Sequence, residues 1–246
     1  MKIYKKSDET SYTLGVFPTI ELLKSRPNDV IRVVVHSSIE QNRGYPIIQD
    51  LCHQHHIHID IHDKTIDKLS PKNNCFAIGV FRKYESLLAE GNHVVLVNPM
   101  DMGNMGTIMR TMLGFHYKNL VIVRPAVDVF DPKVIRASMG AIFHLNIQYY
   151  DDFQTYYQHY QHHEIYPLML KGAKNIHQVT SHHLHSLVFG NESSGLPDEY
   201  LKYGQSVFIP HSEQIDSLNL SMALGLTLFH FSKEEFKEKG VLRENV

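Results

Sequence analysis

The stretch that most limits what this chain can fold into is residues 187–229, LVFGNESSGLPDEYLKYGQSVFIPHSEQIDSLNLSMALGLTLF. Two short runs of β-forming residues, 187–189 (Leu-Val-Phe) and 207–209 (Val-Phe-Ile), each stop at a polar, turn-forming stretch. The first is followed by Gly190, Asn191, Glu192, Ser193, Ser194 and Gly195; the second by Pro210 and then Asp216, Ser217, Leu218 and Asn219. From about Ser217 the pattern predicts a helix, apolar on nearly every face through Phe229. Open α/β sheets bind ligands beyond the carboxyl ends of their strands. Two such ends here carry Gly, Asn, Glu and Ser, so they predict a site.

The rest of the chain supplies a sheet for those ends. Residues 93–97 (HVVLV) read as a buried strand, and strand-like runs recur at 120–123, 143–147, 166–170, 186–189 and 206–209. Helical patterns lie between several of them, which predicts a parallel sheet with helices on both faces. Residues 12–82 read as a smaller α/β unit. It has helices over 16–24 and 45–55, a buried strand at 30–35, a strand at 57–61 in which isoleucines alternate with His58 and Asp60, and a strand at 75–81. Residues 1–12 read as a loosely docked tail. The polar stretch 82–92 ends in a Gly-Asn turn and marks a junction. The expected division is therefore 1–85 and 86–246.

At 246 residues the chain has room for both units. It has no internal repeat and no apolar run near 18 residues, so no membrane helix is expected. Its first residues lack the apolar core of a signal peptide. Cys52 and Cys75 read as two free thiols, and a cytoplasmic location is expected. Net charge is -2 with 18 histidines counted as neutral, so a nucleic-acid partner would need a local basic patch, not a global field. No G-x-G-x-x-G follows an early strand, which argues against a dinucleotide-binding enzyme.

A further motif is NPMDMGNMGTIMRT at residues 98–111. Asn104 suits a helix N-cap. Behind it Met105, Ile108, Met109, Met112 and Leu113 fall on one helical face, and Gly114 ends the pattern. The methionines read as core filler. Arg110 lies off that face. Taken singly, Arg110 and Glu192 are solvated charges, and Ser217 is an N-cap.

Taken together, residues 98–111, GNESSGL and IPHSEQIDSLNLSMA resemble, in order and spacing, the three motifs of the SpoU (TrmH-type) RNA ribose methyltransferases of the SPOUT superfamily. The resemblance covers roughly residues 92–231. It implies a knotted (trefoil) parallel-sheet α/β methyltransferase domain, with the last helix threaded through a loop, preceded by a small α/β RNA-binding substrate domain. The implied activity is transfer of a methyl group from S-adenosylmethionine to a ribose 2′-hydroxyl of RNA. By resemblance Arg110, Asn104, Glu192, Ser217 and Asn219 form the catalytic set, and Gly190, Asn191, Ile209 and Leu218 hold the cofactor. Arg110 is either a general base or a phosphate clamp. A guanidinium pKa above about 12 disfavours the first role. A homodimer with a composite active site is implied. Large-subunit ribosomal RNA is the expected substrate, with transfer RNA next and a non-catalytic ribosome-assembly role as a further alternative. Arg136 and Ser138, in a lesser family block at residues 134–140, face RNA, a partner subunit or only the core. His211 stands where a Met is common in relatives, and Phe115-His116 where many have Phe-Gly.

Histidines cluster at 53–62, 159–163 and 182–185. His58, Asp60 and His62 would share one strand face as a ligand set. No HExxH or Cys-rich spacing accompanies them, and no metal site is expected.

Overall fold

A computed structural model describes residues 2–70, 74–181 and 183–237. Two compact units divide the chain. One gathers the chain up to Leu87 with Asp101–Arg110 and Val127–Leu145; the other gathers Leu88–Met100, Thr111–Ala126 and the chain from Asn146 onward.

The first unit is built on β1 (Thr10–Tyr12), α1 (Val16–Ser25), β2 (Val30–Val35), α2 (Tyr45–Gln54), β3 (Ile59–Ile61), α3 (Asp63–Leu69) and β4 (Ala77–Arg82). Its sheet runs β1-β4-β2-β3, with β4 antiparallel to β1 and β2, and β3 parallel to β2. Val33, Val35, Leu22, Leu23, Ile48 and Phe81 are buried in its core. The expected loose tail is in part a strand. β4 offers an edge, residues 10–12 pair along it, and Ser11 is buried with its hydroxyl donating to the Phe130 carbonyl at 2.5 Å. Tyr4 is also tied down, its hydroxyl donating to the Asp128 carboxylate. Phe81 meets Phe143 edge-on with ring centroids 5.3 Å apart.

The later elements are β5 (His93–Val97), α4 (Met102–Gly114), β6 (Asn119–Val123), α5 (Pro132–Ala137), β7 (Asn146–Tyr150), α6 (Phe153–His159), β8 (Glu164–Pro167), β9 (Lys174–Asn175), β10 (His185–Phe189), β11 (Val207–Phe208), α7 (Leu220–Phe231) and α8 (Lys233–Lys237). Five of the strands form a wholly parallel sheet in the order β7-β6-β5-β10-β8. Val94, Val95, Leu120, Val121, Leu187 and Val188 are buried, as a sheet covered on both faces requires. β7 begins later than expected, because residues 141–144 form a 3-10 turn behind the left-handed Gly140. β11 does not join this sheet. Leu168, just beyond the edge strand β8, bridges Val207, and β11 pairs with β9 in a two-stranded sheet of its own.

Two helix starts also differ from expectation, for one reason: a better-placed capping oxygen. α4 starts at Met102, and Asp101 Oδ1 accepts the Asn104 N–H at 2.6 Å, so Asn104 sits inside the first turn. α7 starts at Leu220, not Ser217. Asn219 caps it by accepting the Ser221 and Met222 N–H groups at 2.9 and 3.3 Å. Nor is α7 buried all round: Met222, Leu226 and Phe229 are 58, 42 and 66% exposed along one face.

The histidines divide by burial. His93, His163 and His185 are buried, and Tyr156 and Ser186 link the first two. The Tyr156 hydroxyl is 2.9 Å from His93 Nδ1 and 2.6 Å from Ser186 Oγ, which is 2.9 Å from His163 Nδ1. Burial pushes His93 down to about 3 and His163 down to about 4, and lowers His185 as well. In the first unit, His58 Nε2 lies 3.0 Å from Asp60 Oδ1. Among the described residues no group of three or more His, Cys, Asp or Glu is placed to hold a metal ion; His182 lies outside them.

Candidate active site

The five-stranded sheet changes direction at its centre. From β5 the chain builds outward through β6 to β7; β10 then enters on the other side of β5, with β8 beyond it. The carboxyl ends of β5 and β10 therefore flank a topological switch point, where open α/β sheets form their ligand crevice.

Three loops are stapled together there. Asn98, which follows β5, has a left-handed backbone (φ 52°). Its side-chain amide donates to the Arg124 carbonyl at 2.7 Å, beyond the end of β6. Asn191, in the β10 loop, donates to the Asn98 carbonyl at 2.8 Å and accepts the Ser193 and Ser194 N–H groups at 2.9 and 3.2 Å. Next to it, Glu192 Oε2 accepts the Met100 N–H at 3.2 Å. Gly190 is needed for a reason internal to the loop. A Cβ there would collide with the backbone of Gly195 and Leu196, where the loop folds back on itself. Gly195 completes that return with φ +66° and an N–H donated to the Asn191 carbonyl at 2.9 Å.

Within the second unit a cavity of about 500 Å³ opens against this loop. That is room for a drug-sized or nucleoside-sized molecule. Gly190, Asn191, Glu192, Ile209, Ser217 and Leu218 all line it. So do Leu168 and Val207, which give it an apolar wall, and the Lys171–Asp198 ion pair at its rim. Asn219 has its side-chain oxygen committed to the start of α7.

Asn104 and Arg110 lie on α4, in the segment assigned to the first unit. Met105, Ile108, Met109 and Met112 bury one face of that helix, and Arg110 is exposed off it. Gly106 is required where α4 meets the end of α5, because a Cβ would strike Ala137. Arg136 and Ser138 have partners inside the first unit. Arg136 donates to Asn74 Oδ1 at 2.6 Å, and the buried Ser138 hydroxyl donates to the Ile135 carbonyl at 2.8 Å.

Asn98, Met100 and Leu168 were not singled out from the sequence. Met100 acts through its backbone N–H and Asn98 partly through its carbonyl, and backbone groups leave no residue-type signature. Leu168 reads as one more strand residue until β11 is seen beside it.

A family model for the SpoU rRNA methylase family matches residues 91–229, more than half of the chain and the whole of the parallel sheet and cavity. The chain belongs to the SpoU rRNA methylase family. Among its SpoU relatives, the chain is 26% identical over 146 residues to an uncharacterised tRNA/rRNA methyltransferase of Synechocystis, covering 58% of this chain and 53% of that one. It is 25% identical over 154 residues to a 23S rRNA guanosine 2′-O-methyltransferase of Bacillus subtilis, covering 59% of this chain and 60% of that one. The chain thus spans little more than half the length of these curated relatives. The crystal structure of an S-adenosylmethionine-bound rRNA methyltransferase from Sinorhizobium meliloti superposes with a TM-score of 0.77 at 22% identity, over 92% of this chain and 88% of that one. That span exceeds the family match, so the fold is shared beyond the SpoU region.

Proposed function

We propose that this protein transfers a methyl group from S-adenosylmethionine to a ribose 2′-hydroxyl of RNA, and that the RNA is large-subunit ribosomal RNA. The observation that carries the reading is the cavity at the switch point, lined by Gly190, Asn191, Glu192, Ile209, Ser217 and Leu218 within the SpoU-matched region. The cavity suits the donor. Its volume fits a nucleoside with an amino-acid arm, Leu168, Val207 and Leu218 give it apolar surface that fits a base, and the 190–195 loop adds polar residues to its lining. When bound, the donor supplies an electrophilic methyl group on its sulfonium centre.

The chain's residues have the following roles in this reading. Gly190, Asn191, Ile209 and Leu218 hold the donor. Arg110 clamps an RNA phosphate with its planar fork and stabilises negative charge on the 2′-oxygen, whose proton passes to water as the oxygen–methyl bond forms and the sulfur–methyl bond breaks. Glu192, fixed by the Met100 N–H, presents a carboxylate at the cavity. Asn104, Ser217 and Asn219 belong to the catalytic set. The N-terminal segment, residues 1–85, selects the RNA. The fold includes the trefoil knot, and the protein works in the cytoplasm; among the described residues no helix is long and apolar enough to cross a membrane. The active site is completed in a homodimer. The exposed stripe Met222, Leu226 and Phe229 on α7 supports this, since such apolar faces mark contact surfaces.

The large-subunit substrate draws on the Bacillus relative's 23S rRNA specificity. Transfer RNA is the second reading, supported by the Synechocystis relative's name. The test is a map of 2′-O-methylation across ribosomal and transfer RNA with and without this protein. One 23S position losing its methyl group is the expected result. A lost transfer-RNA methyl would move the substrate, and an unchanged map would refute the activity.

A further inference from the structure

Three glycines of the first unit leave no room for a methyl group, and together they set four elements edge to edge. A Cβ at Gly44, just ahead of α2, would come within 2.5 Å of Val16 Cγ1 in the first turn of α1. One at Gly140 would meet Glu21 Cβ at 2.8 Å and Pro18 Cα at 3.2 Å, so the turn after α5 rests on α1. The contact of Gly106 with Ala137 then joins the end of α5 to α4. The start of α2, the exposed side of α1, the end of α5 and the exposed side of α4 thus form one strip. Phe17, in the first turn of α1, is 51% exposed on it, while Pro18, Thr19, Ile20, Leu22 and Leu23 bury the helix's other side. Met139 is exposed too, in a left-handed backbone (φ 53°) that glycine would adopt without steric cost.

Arg43, next to Gly44, and Arg110, on α4, are exposed and have no hydrogen-bond or ion-pair partner among the described residues. By contrast Arg32 pairs with Asp60, Arg124 with Asp151 and Arg136 with Asn74, and Arg26 covers the Tyr84 ring. Arg82 lacks a partner as well, but it ends β4. The Gly15 N–H, just ahead of α1, donates to the Ala77 carbonyl at the opposite end of that strand. Glu21, the acid of α1 on this side, is engaged by His144 Nε2 at 2.7 Å and Lys24 Nζ at 3.9 Å, so its charge is met within the fold. An exposed aromatic ring between two unpaired guanidinium groups suits unpaired nucleic acid, whose bases have faces to stack and whose phosphates need partners. A duplex keeps its bases stacked on one another and offers the ring nothing. We propose that this strip holds a single-stranded segment of the substrate RNA beside the methylated nucleotide, with a base stacked on Phe17 and phosphates paired with Arg43 and Arg110. The inference rests on the RNA-directed reading above and extends it: the target lies in a loop or bulge, not within a paired helix.

Binding of the full chain to two defined probes, single-stranded poly(A) and the poly(A)·poly(U) duplex, tests this beside methyl transfer to total RNA from cells lacking the protein. Poly(A) is expected to bind more tightly than the duplex. Phe17→Leu keeps an apolar side chain but loses the ring; it should weaken poly(A) binding about tenfold and bring it level with the duplex. Phe17→Trp should restore the preference. Arg43→Ala should weaken both probes and lower the salt dependence by about one counterion, with Arg43→Lys restoring most of the loss. In methyl transfer, Phe17→Leu should raise KM for RNA about tenfold, with kcat and donor affinity unchanged. Thermal unfolding and sedimentation of each variant check that it is folded and report its oligomeric state. Normal poly(A) binding by Phe17→Leu would overturn the proposal, and so would a loss that folded Phe17→Trp does not repair. A changed oligomeric state in Phe17→Leu would also overturn it, since the strip would then be a contact between copies of this chain. Phe17-dependent binding of poly(A) with no methyl transfer to any RNA would instead refute the proposed activity and leave the strip standing.

Discussion

Arg110 and Gly190 show how differently single residues can serve one site. Arg110 projects from an amphipathic helix whose other face is occupied by buried methionines, so substituting it should leave packing untouched. Arg110→Ala is expected to lower single-turnover methyl transfer by about 100-fold or more with unchanged donor affinity and melting temperature. Arg110→Lys keeps the charge but loses the fork, and a near-normal rate for it would rule out the phosphate clamp. Gly190 acts through backbone space. The loop after β10 returns so tightly that a methyl group at Gly190 must push against Gly195 and Leu196, neither of which is a flexible side-chain tip. Gly190→Ala should therefore cost about 1–3 kcal/mol of stability and abolish measurable donor binding by calorimetry. Gly190, Asn191 and Glu192, picked out in the sequence by residue type, line the cavity. The hydrogen bonds from Asn191 to Asn98 and from Met100 to Glu192 were not legible there, because they join residues more than 90 positions apart.

Among the elements, strands were more legible than helix ends. Runs such as 94–97 and 187–189 are apolar at every position, which suits a sheet buried on both faces. Helix starts depend on which of several nearby polar residues turns its oxygen toward the first N–H groups. Asp101 was overlooked in favour of Asn104, and Ser217 was preferred to Asn219, since any of these types can cap. Removing the Asn219 oxygen with Asn219→Ala should destabilise the protein by about 1 kcal/mol, read as a lowered melting temperature. The buried histidines make a second prediction at this scale. Above about pH 6.5 His93 and His163 are neutral in both folded and unfolded chains, and no stability is lost. Below it the unfolded imidazoles take up protons, whereas His163 stays neutral to about 4 and His93 to about 3. Stability should therefore fall through that window by up to about 1.4 kcal/mol per pH unit for each histidine. Urea unfolding between about pH 7 and 4.5 measures it. A flat profile would mean that the histidines charge inside the fold.

At the scale of the whole molecule, each sheet closes within one unit, but the chain visits the first unit three times. Phe143, far along the sequence, packs on Phe81 in the first unit. Linear reading places one junction near residue 85 because local composition changes there; it has no access to segments that return later. α7 is apolar on nearly every face, and one of those faces stands open in the single chain. If a second copy covers that face, Leu226→Glu places a charge in an apolar contact. It should convert a dimer to a monomer in sedimentation and abolish methyl transfer, while donor binding persists. A monomeric unaltered protein would refute the dimer.

By itself the sequence determined the α/β class, the parallel sheet and the family, because hydrophobic periodicity and three short motifs are local properties written in residue order. Only the tertiary structure decided that β11 leaves the main sheet, that Asn98 and Asn191 staple three loops, and that His211 holds one ring nitrogen against its own backbone. These depend on where distant backbone groups come to rest, and a backbone amide or carbonyl looks the same at every position of the chain.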